Sequence, residues 1–163
     1  MQVNQHFSPR NTMKLIIAAT EGDLQTVQEE IQRGANVDLM SNEGNTALMY
    51  ASNCGHLQCV LELIASECDL NLQSRTSECT AAMCASLSGR EACLRELISA
   101  GCNLDLRNYI GDTVWDRSDN LIRQILREQS AAKDAIYQTL RNNHNFSDAM
   151  IEQICNFTLR KHN

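Results

Sequence analysis

The chain has 163 residues, enough for one ordinary domain and too few for two. Its formal net charge is −6, whereas a non-specific nucleic-acid binder needs a basic face to neutralise phosphates, so no nucleic-acid partner is expected. It contains no apolar run of the roughly 18 residues that a transmembrane helix needs, which argues against a membrane partner. Aromatic residues make up only 4%, a composition that favours small, closely packed helices.

The N-terminal segment, residues 1–12, is interpreted as a tail without a secretory signal. The apolar stretch from Leu15 to Ala19 is too short for a signal peptide, and Lys14 interrupts the apolar run. The chain also carries eight cysteines. Without an export signal, these are predicted to be reduced thiols, and the protein is predicted to be cytoplasmic.

A repeated pattern begins at residue 13. The glycine tripeptide that starts at Gly22 recurs at Gly55 and again at Gly89, and the second interval is one position longer than the first. Two further landmarks share this period, namely the turns that start at Gly34, Glu67 and Gly101 and those that start at Asn45, Cys79 and Asp112. Three independent landmarks with one period predict a repeat architecture.

Each unit reads as a turn, a helix, a tight loop and a second helix. Thr46, Thr80 and Thr113 stand where a helix N-cap belongs. Gly55 and Gly89 are predicted to end the first helix of their units, because glycine tolerates a positive φ. The second helix carries an apolar stripe at helical spacing, formed by Leu57, Val60, Leu63 and Ile64. No unit of this size buries its stripe alone, so the units must stack.

Residues 44–73, GNTALMYASNCGHLQCVLELIASECDLNLQ, resemble an ankyrin repeat in both motif and period. The resemblance covers residues 13–129, with units at about 13–40, 41–73 and 74–107 and a shortened unit at 108–129. It implies an all-α ankyrin-repeat solenoid, with short β-turn fingers between helix pairs. The chain departs from the family pattern in three ways: proline is absent after the threonine, Met49 replaces a histidine, and Glu67 replaces a helix-ending glycine.

The resemblance implies a non-enzymatic module that binds a protein partner through its concave face, most simply as a monomer. It is also compatible with an effector secreted into a host cell, since such proteins often use short ankyrin arrays. In this family, contacts come from finger tips and exposed inner-helix positions. Carried across, these are Asn42, Glu43, Asn45, Tyr50, Asn53, Thr76, Ser77, Leu87, Ser88, Tyr109, Ile110 and Asp112. Tyr50, Leu87 and Tyr109 are expected to lie along one groove and to have little packing role.

Residues 130–163 do not continue the period. Two helices are predicted, from Ala131 to Asn142 and from Ser147 to Arg160, as a cap on the last repeat. An alternative is a docking segment, because residues 146–154 faintly resemble the first helix of an F-box. That resemblance implies an adaptor that recruits a ubiquitin ligase.

The cysteines and charged residues do not form a recognisable site. Four cysteines fall at repeat positions that are apolar or small, and these are expected in the core: Cys59, Cys68, Cys93 and Cys102. Cys54, Cys79 and Cys84 are expected to be partly exposed, which leaves a thiol-based redox or metal-responsive module as a further alternative. His56 is expected to hold loops together, and Glu29 and Glu30 to lie on solvent faces. We expect no catalytic, cofactor or metal site.

Overall fold

Helices form every regular element in residues 9–116 and 120–141, which are the residues that the computed structural model describes. They are α1 (Pro9–Glu21), α2 (Leu24–Gln32), α3 (Ala47–Cys54), α4 (Leu57–Ala65), α5 (Ala81–Leu87), α6 (Glu91–Ser99) and α7 (Asn120–Arg141). The inner helices α1, α3 and α5 stack in one layer, and the outer helices α2, α4 and α6 stack behind them. This is the all-α solenoid that the ankyrin resemblance implies. None of these helices is both long and apolar enough to span a bilayer.

The first inner helix starts earlier than expected. It begins at Pro9, inside the stretch interpreted as a tail, and has 13 residues, whereas α3 has 8 and α5 has 7. A proline is well tolerated in a first helical turn, because its missing N–H would have no partner there. The first unit therefore has helix where the later units have a turn.

The N-cap predictions hold for α3 and α5. The hydroxyl oxygens of Thr46 and Thr80 accept hydrogen bonds from the backbone N–H groups three residues later, each at 3.3 Å. The prediction for Thr113 is wrong. Its backbone N–H and its hydroxyl both donate to the carboxylate of Asp116, at 2.8 Å each, and turns rather than a helix follow it up to that residue.

The inner and outer layers enclose a continuous apolar core. Small residues such as Ala51 and Ala85 are fully buried between inner helices, and Leu63, Leu94 and Leu97 are fully buried on outer helices. The burial prediction for Cys59, Cys68, Cys93 and Cys102 is confirmed.

Glu30 corrects the sequence interpretation, because it is not on a solvent face. Its side chain is 1% exposed and forms ion pairs with Lys14 at 3.1 Å and Arg33 at 2.6 Å. Burial by itself would raise the pKa of the carboxyl, but the hydrogen bonds from Lys14 and Arg33 outweigh it and hold the pKa below its usual value. The carboxylate therefore ties α1 to α2 in the first unit.

Loop contacts between neighbouring units recur with the repeat. The ring Nε2 of His56 donates to the carbonyl oxygen of Thr20 at 3.0 Å, which confirms that this histidine joins loops. In the next unit, Arg90 stands at the same repeat position and donates from Nε to the carbonyl of Asn53 at 3.1 Å. Gly22 makes room for this contact, since a Cβ there would lie 2.5 Å from the His56 ring.

The expectation of a repeat segment that ends at residue 129 and a separate helix that starts at Ala131 is wrong. One 22-residue helix, α7, runs through both segments. It contains no glycine or proline, and the Ala131-Ala132 pair at the predicted break strongly favours helix. The second predicted helix, residues 147–160, lies outside the described residues, as does the F-box-like segment.

Candidate protein-binding surface

Three short turns, which we call fingers, lie at residues 41–45 before α3, at 74–79 before α5 and at 108–112 at the start of the last unit. Each is closed by a backbone bond, from Ser41 N to Asn45 O, from Ser74 N to Cys79 O and from Asn108 N to Asp112 O. The second finger is thus one position longer than the first and the third. This insertion explains the unequal repeat intervals, because each pair of landmarks that spans the second finger is one position further apart than the pairs that do not.

Neighbouring fingers are joined to each other. Arg75 N–H donates to the carbonyl of Gly44 in the first finger, and Tyr109 N–H donates to the carbonyl of Ser77 in the second, each at 3.2 Å. Gln73 adds a side-chain link, because its amide donates both to Glu78 O and to Arg107 O at 2.7 Å. The three fingers therefore form one continuous edge beside the inner helices.

All twelve predicted contact residues lie at least partly in solvent. The exposed ones are Asn42, Glu43, Asn53, Thr76, Leu87, Tyr109 and Ile110, and the half-buried ones are Asn45, Tyr50, Ser77, Ser88 and Asp112. Several of the second group are held by neighbours, such as Ser88, whose hydroxyl donates to Asn53 Oδ1 at 2.6 Å. The most accessible apolar groups are Tyr109, with 67% of its surface exposed, and Leu87, with 50%.

Tyr50 has a larger structural role than predicted. Its ring packs against the core, and its hydroxyl donates to Glu43 Oε2 at 2.7 Å. Asn45 Nδ2 donates to the same hydroxyl at 3.4 Å. The residue therefore fixes the first finger onto α3, and its truncation would disturb that finger as well as any bound partner.

Leu87 and Tyr109 lie at opposite ends of α5. Tyr109 is bonded to the second finger, which leads into the first turn of α5, whereas Leu87 is the last residue of that helix. Seven helical residues extend about 10 Å, so the two side chains do not form one apolar cluster. They are better described as two separate contact points on the concave side.

Two exposed apolar residues on α1 were missed by the sequence reasoning. Met13 is 44% exposed and Ile17 is 49% exposed, and both line a cleft of about 390 Å³ between α1 and the first finger. Tyr50, Asn42 and Glu43 line it from the other side. The signal was present in the sequence, because Ile17 stands one repeat period before Tyr50 and so takes the same place in its unit.

A family model for ankyrin repeats, in three copies, matches residues 15–108. The chain belongs to the ankyrin-repeat family. It is also similar to ankyrin repeat domain-containing protein 29 of Danio rerio, with 46% identity over 57 residues. That match covers 34% of this chain and 19% of the relative, so this chain spans only a small part of that protein. Ankyrin repeats generally act as protein–protein interaction modules.

The thiols of this ankyrin array are mostly enclosed. Cys79 was expected to be partly exposed but is buried beside the second finger, whereas Cys54 and Cys84 are half-buried as expected. Burial raises the pKa of Cys84 to about 12, and likewise that of Cys68 and Cys102, so these thiols stay protonated at neutral pH. Within the described residues, no cluster of three or more His, Cys, Asp or Glu side chains is placed to hold a metal ion.

Proposed function

We propose that this ankyrin array binds a protein partner through its concave face, formed by the finger edge and the inner helices. The observation that carries the proposal is the exposure of apolar side chains on this face. Tyr109 and Ile110 stand at the tip of the third finger and Leu87 at the end of α5, all accessible. Exposed aromatic and aliphatic groups on one face commonly anchor interfaces, because their burial against a partner removes apolar surface from water.

The role proposed is recognition rather than catalysis. The thiol alternative needs an accessible cysteine that ionises readily among Cys54, Cys79 and Cys84. Burial raises the pKa of Cys84 to about 12, and Cys79 is buried, so neither favours it. The net charge of −6 favours a partner with a neutral or basic surface and opposes a nucleic-acid ligand. We also infer a reducing, intracellular setting, in which the core cysteines act as small apolar residues.

The test is an affinity pull-down with mass spectrometry, followed by affinity measurements with the recovered partner. Leu87→Ala and Tyr109→Ala should each weaken binding by about 1–3 kcal/mol if the residue is a true anchor. Both side chains are exposed, so the melting temperature should stay close to that of the parent. Tyr50→Phe, which removes the bond to Glu43 but keeps the ring, is preferable to an alanine at that position.

The matched controls lie on the outer helices. Gln58 is exposed on α4, and Arg95 forms a surface ion pair with Glu91 on α6 at 3.0 Å. Gln58→Ala and Arg95→Ala should leave binding unchanged. If these outer variants abolish binding while the Leu87 and Tyr109 variants bind like the parent, the partner uses the convex face and the proposal is wrong.

A further inference from the structure

The cleft between α1 and the first finger differs from the other spaces along the finger edge. The gaps between the first and second fingers and between the second and third are bridged by the backbone bonds from Arg75 to Gly44 and from Tyr109 to Ser77. The first unit has a helical turn at the place where a finger would stand, because α1 begins at Pro9. Helix side chains therefore form one wall of the cleft and a finger forms the other.

Apolar groups form most of the wall that α1 provides. Met13 and Ile17 each leave close to half of their surface in water, and Ile16 lies beneath them in the core. The opposite wall carries Tyr50, whose hydroxyl is already bonded to Glu43. Two large apolar side chains at one exposed site keep apolar surface in contact with water, which costs free energy. A bound apolar group would bury that surface and remove part of the cost.

The rim of the cleft is acidic. Among the residues whose side chains the structure describes, the charged ones that line it are Glu21 on α1 and Glu43 on the finger. One oxygen of Glu43 accepts from Tyr50 at 2.7 Å, which leaves the other for a cation. Lys14 is nearby in sequence, but its ammonium group is paired with the buried Glu30 at 3.1 Å, so it does not neutralise the rim. An incoming positive charge would meet two carboxylates beside an apolar surface.

We propose that this cleft receives a peptide segment of the partner that inserts an aliphatic side chain flanked by Lys or Arg. This inference rests on the proposed function and specifies the partner's chemistry. A cleft of about 390 Å³ is within the size range of small-ligand pockets, roughly 300–1,000 Å³. Walls that are half exposed do not enclose a small molecule, whereas a peptide covers them with its own flanking residues. The cleft also continues the finger edge, so one extended segment would contact both.

The test uses the full chain and a phage-displayed library of random peptides, each about twelve residues long, as the probe. Selection should enrich a consensus with Leu, Ile or Met next to Lys or Arg. The synthetic consensus peptide is then titrated against the parent and two double variants. Met13→Gln with Ile17→Gln removes the apolar wall while keeping good helix formers, and Glu21→Gln with Glu43→Gln removes the acidic rim.

The apolar double variant should weaken binding of the peptide at least about 10-fold. The charge variant should weaken it about 3- to 10-fold at low salt and flatten its salt dependence. Asp105→Asn with Glu128→Gln removes two exposed carboxylates elsewhere and is the matched charge control, which should bind like the parent. Circular dichroism on each variant checks that the fold is kept, and the charge variant carries the test if the apolar one unfolds.

Several results would overturn this inference, and they can be told apart from a failure of the proposed function. No enriched consensus, an acidic consensus, or binding unaffected by both cleft variants would each do so. If peptide binding is instead lost in Leu87→Ala or Tyr109→Ala, the concave face binds but the cleft does not. A dimer in sedimentation that the apolar variant dissociates, or a 10-fold gain in affinity on deleting residues 1–8, would assign the cleft to the chain itself.

Discussion

Glu67 occupies a backbone position that glycine takes in the neighbouring units. Its φ is 60°, and the equivalent residues Gly34 and Gly101 have φ of 78° and 89°. A residue with a side chain in this left-handed region costs roughly 1–2 kcal/mol. Glycine avoids that cost, but its greater conformational freedom in the unfolded chain cancels part of the gain in stability. Glu67→Gly should therefore raise the free energy of unfolding by about 0.5–1 kcal/mol, measured by urea denaturation.

The matched control is Glu96→Gly, which makes the same exchange inside α6. Both variants change the unfolded chain in the same way, so their difference reports the backbone of the folded state. Glycine in a helix interior should lower stability by about 1 kcal/mol. Equal effects of the two substitutions would show that Glu67 carries no backbone strain.

The buried carboxylate of Glu30 should make part of the stability depend on pH. Its pKa is lowered in the folded protein, so its contribution is complete above the unfolded value of about 4.5 and is lost as the pH falls through the folded value. Glu30→Gln should lower stability at pH 7 by about 1–3 kcal/mol, because it removes charge-assisted bonds from Lys14 and Arg33.

The decisive measurement for Glu30 is the difference between parent and variant from pH 6 to pH 3. Asp23 and Asp116 also have lowered pKa values, chiefly through hydrogen bonds from Thr26 and Thr113, but they act equally in both proteins. The stability difference should therefore shrink as the solution becomes acidic. A difference that stays constant over this range would contradict the assigned role of the carboxylate.

At the scale of the helix pair, Gly22 and Gly89 can be compared, because they take equivalent positions at the ends of two inner helices. Gly22 and Gly89 both have a positive φ, of 77° and 64°, but a Cβ at Gly22 would meet the His56 ring at 2.5 Å, whereas one at Gly89 would meet nothing within 4 Å. Both alanine variants incur the backbone penalty. Gly22→Ala should cost about 1–2 kcal/mol more, because it also displaces the bond from His56 to Thr20.

Thermal melts of the two alanine variants, of His56→Ala and of a Gly22→Ala, His56→Ala double variant would check this assignment. The imidazole is the obstacle, so Gly22→Ala introduced into the His56→Ala protein should cost little more than the backbone penalty. Similar melting temperatures for Gly22→Ala and Gly89→Ala would mean that the loop contact contributes little.

The sequence pattern predicted what depends on local chemistry within one unit. Capping by Thr46 and Thr80 and the burial of Cys59 and Cys93 follow from residue type and repeat position alone. What it missed depends on contacts between units or on where a unit stands in the array. Glu30 looks like a surface residue until Lys14, on another helix, is placed over it.

The candidate site was predicted only in part for the same reason. Finger-tip exposure at Tyr109 follows from the family pattern, and the structure agrees. The cleft at Ile17 arises because α1 takes the place of a finger at the start of the array. The family pattern describes an average unit, so it does not predict this exception. The continuous helix α7 shows a different error. The repeat period was predicted to end at residue 129, and a helix boundary was wrongly placed there as well.

At the scale of the whole molecule, the contacts within each layer of helices run from each unit to the next. Inner helices touch adjacent inner helices, and outer helices touch adjacent outer helices. Such a solenoid is stabilised by nearest-neighbour interfaces, so its two ends are coupled only through the units between them. Weakening one end beyond the strength of an interface should let that end unfold first.

Trp115, the sole tryptophan, is half-buried at the C-terminal end of the array and reports that end alone, whereas circular dichroism reports all helices. Leu97 in α6 and Leu15 in α1 are both fully buried, and either alanine substitution should cost about 2–5 kcal/mol. In urea, Leu97→Ala should bring the tryptophan transition to lower concentration than the circular dichroism transition. Leu15→Ala should do the reverse, with helix lost before the fluorescence changes. Coincident transitions for both probes in both variants would mean that the array unfolds as a single unit and that its interfaces are stronger than either local loss.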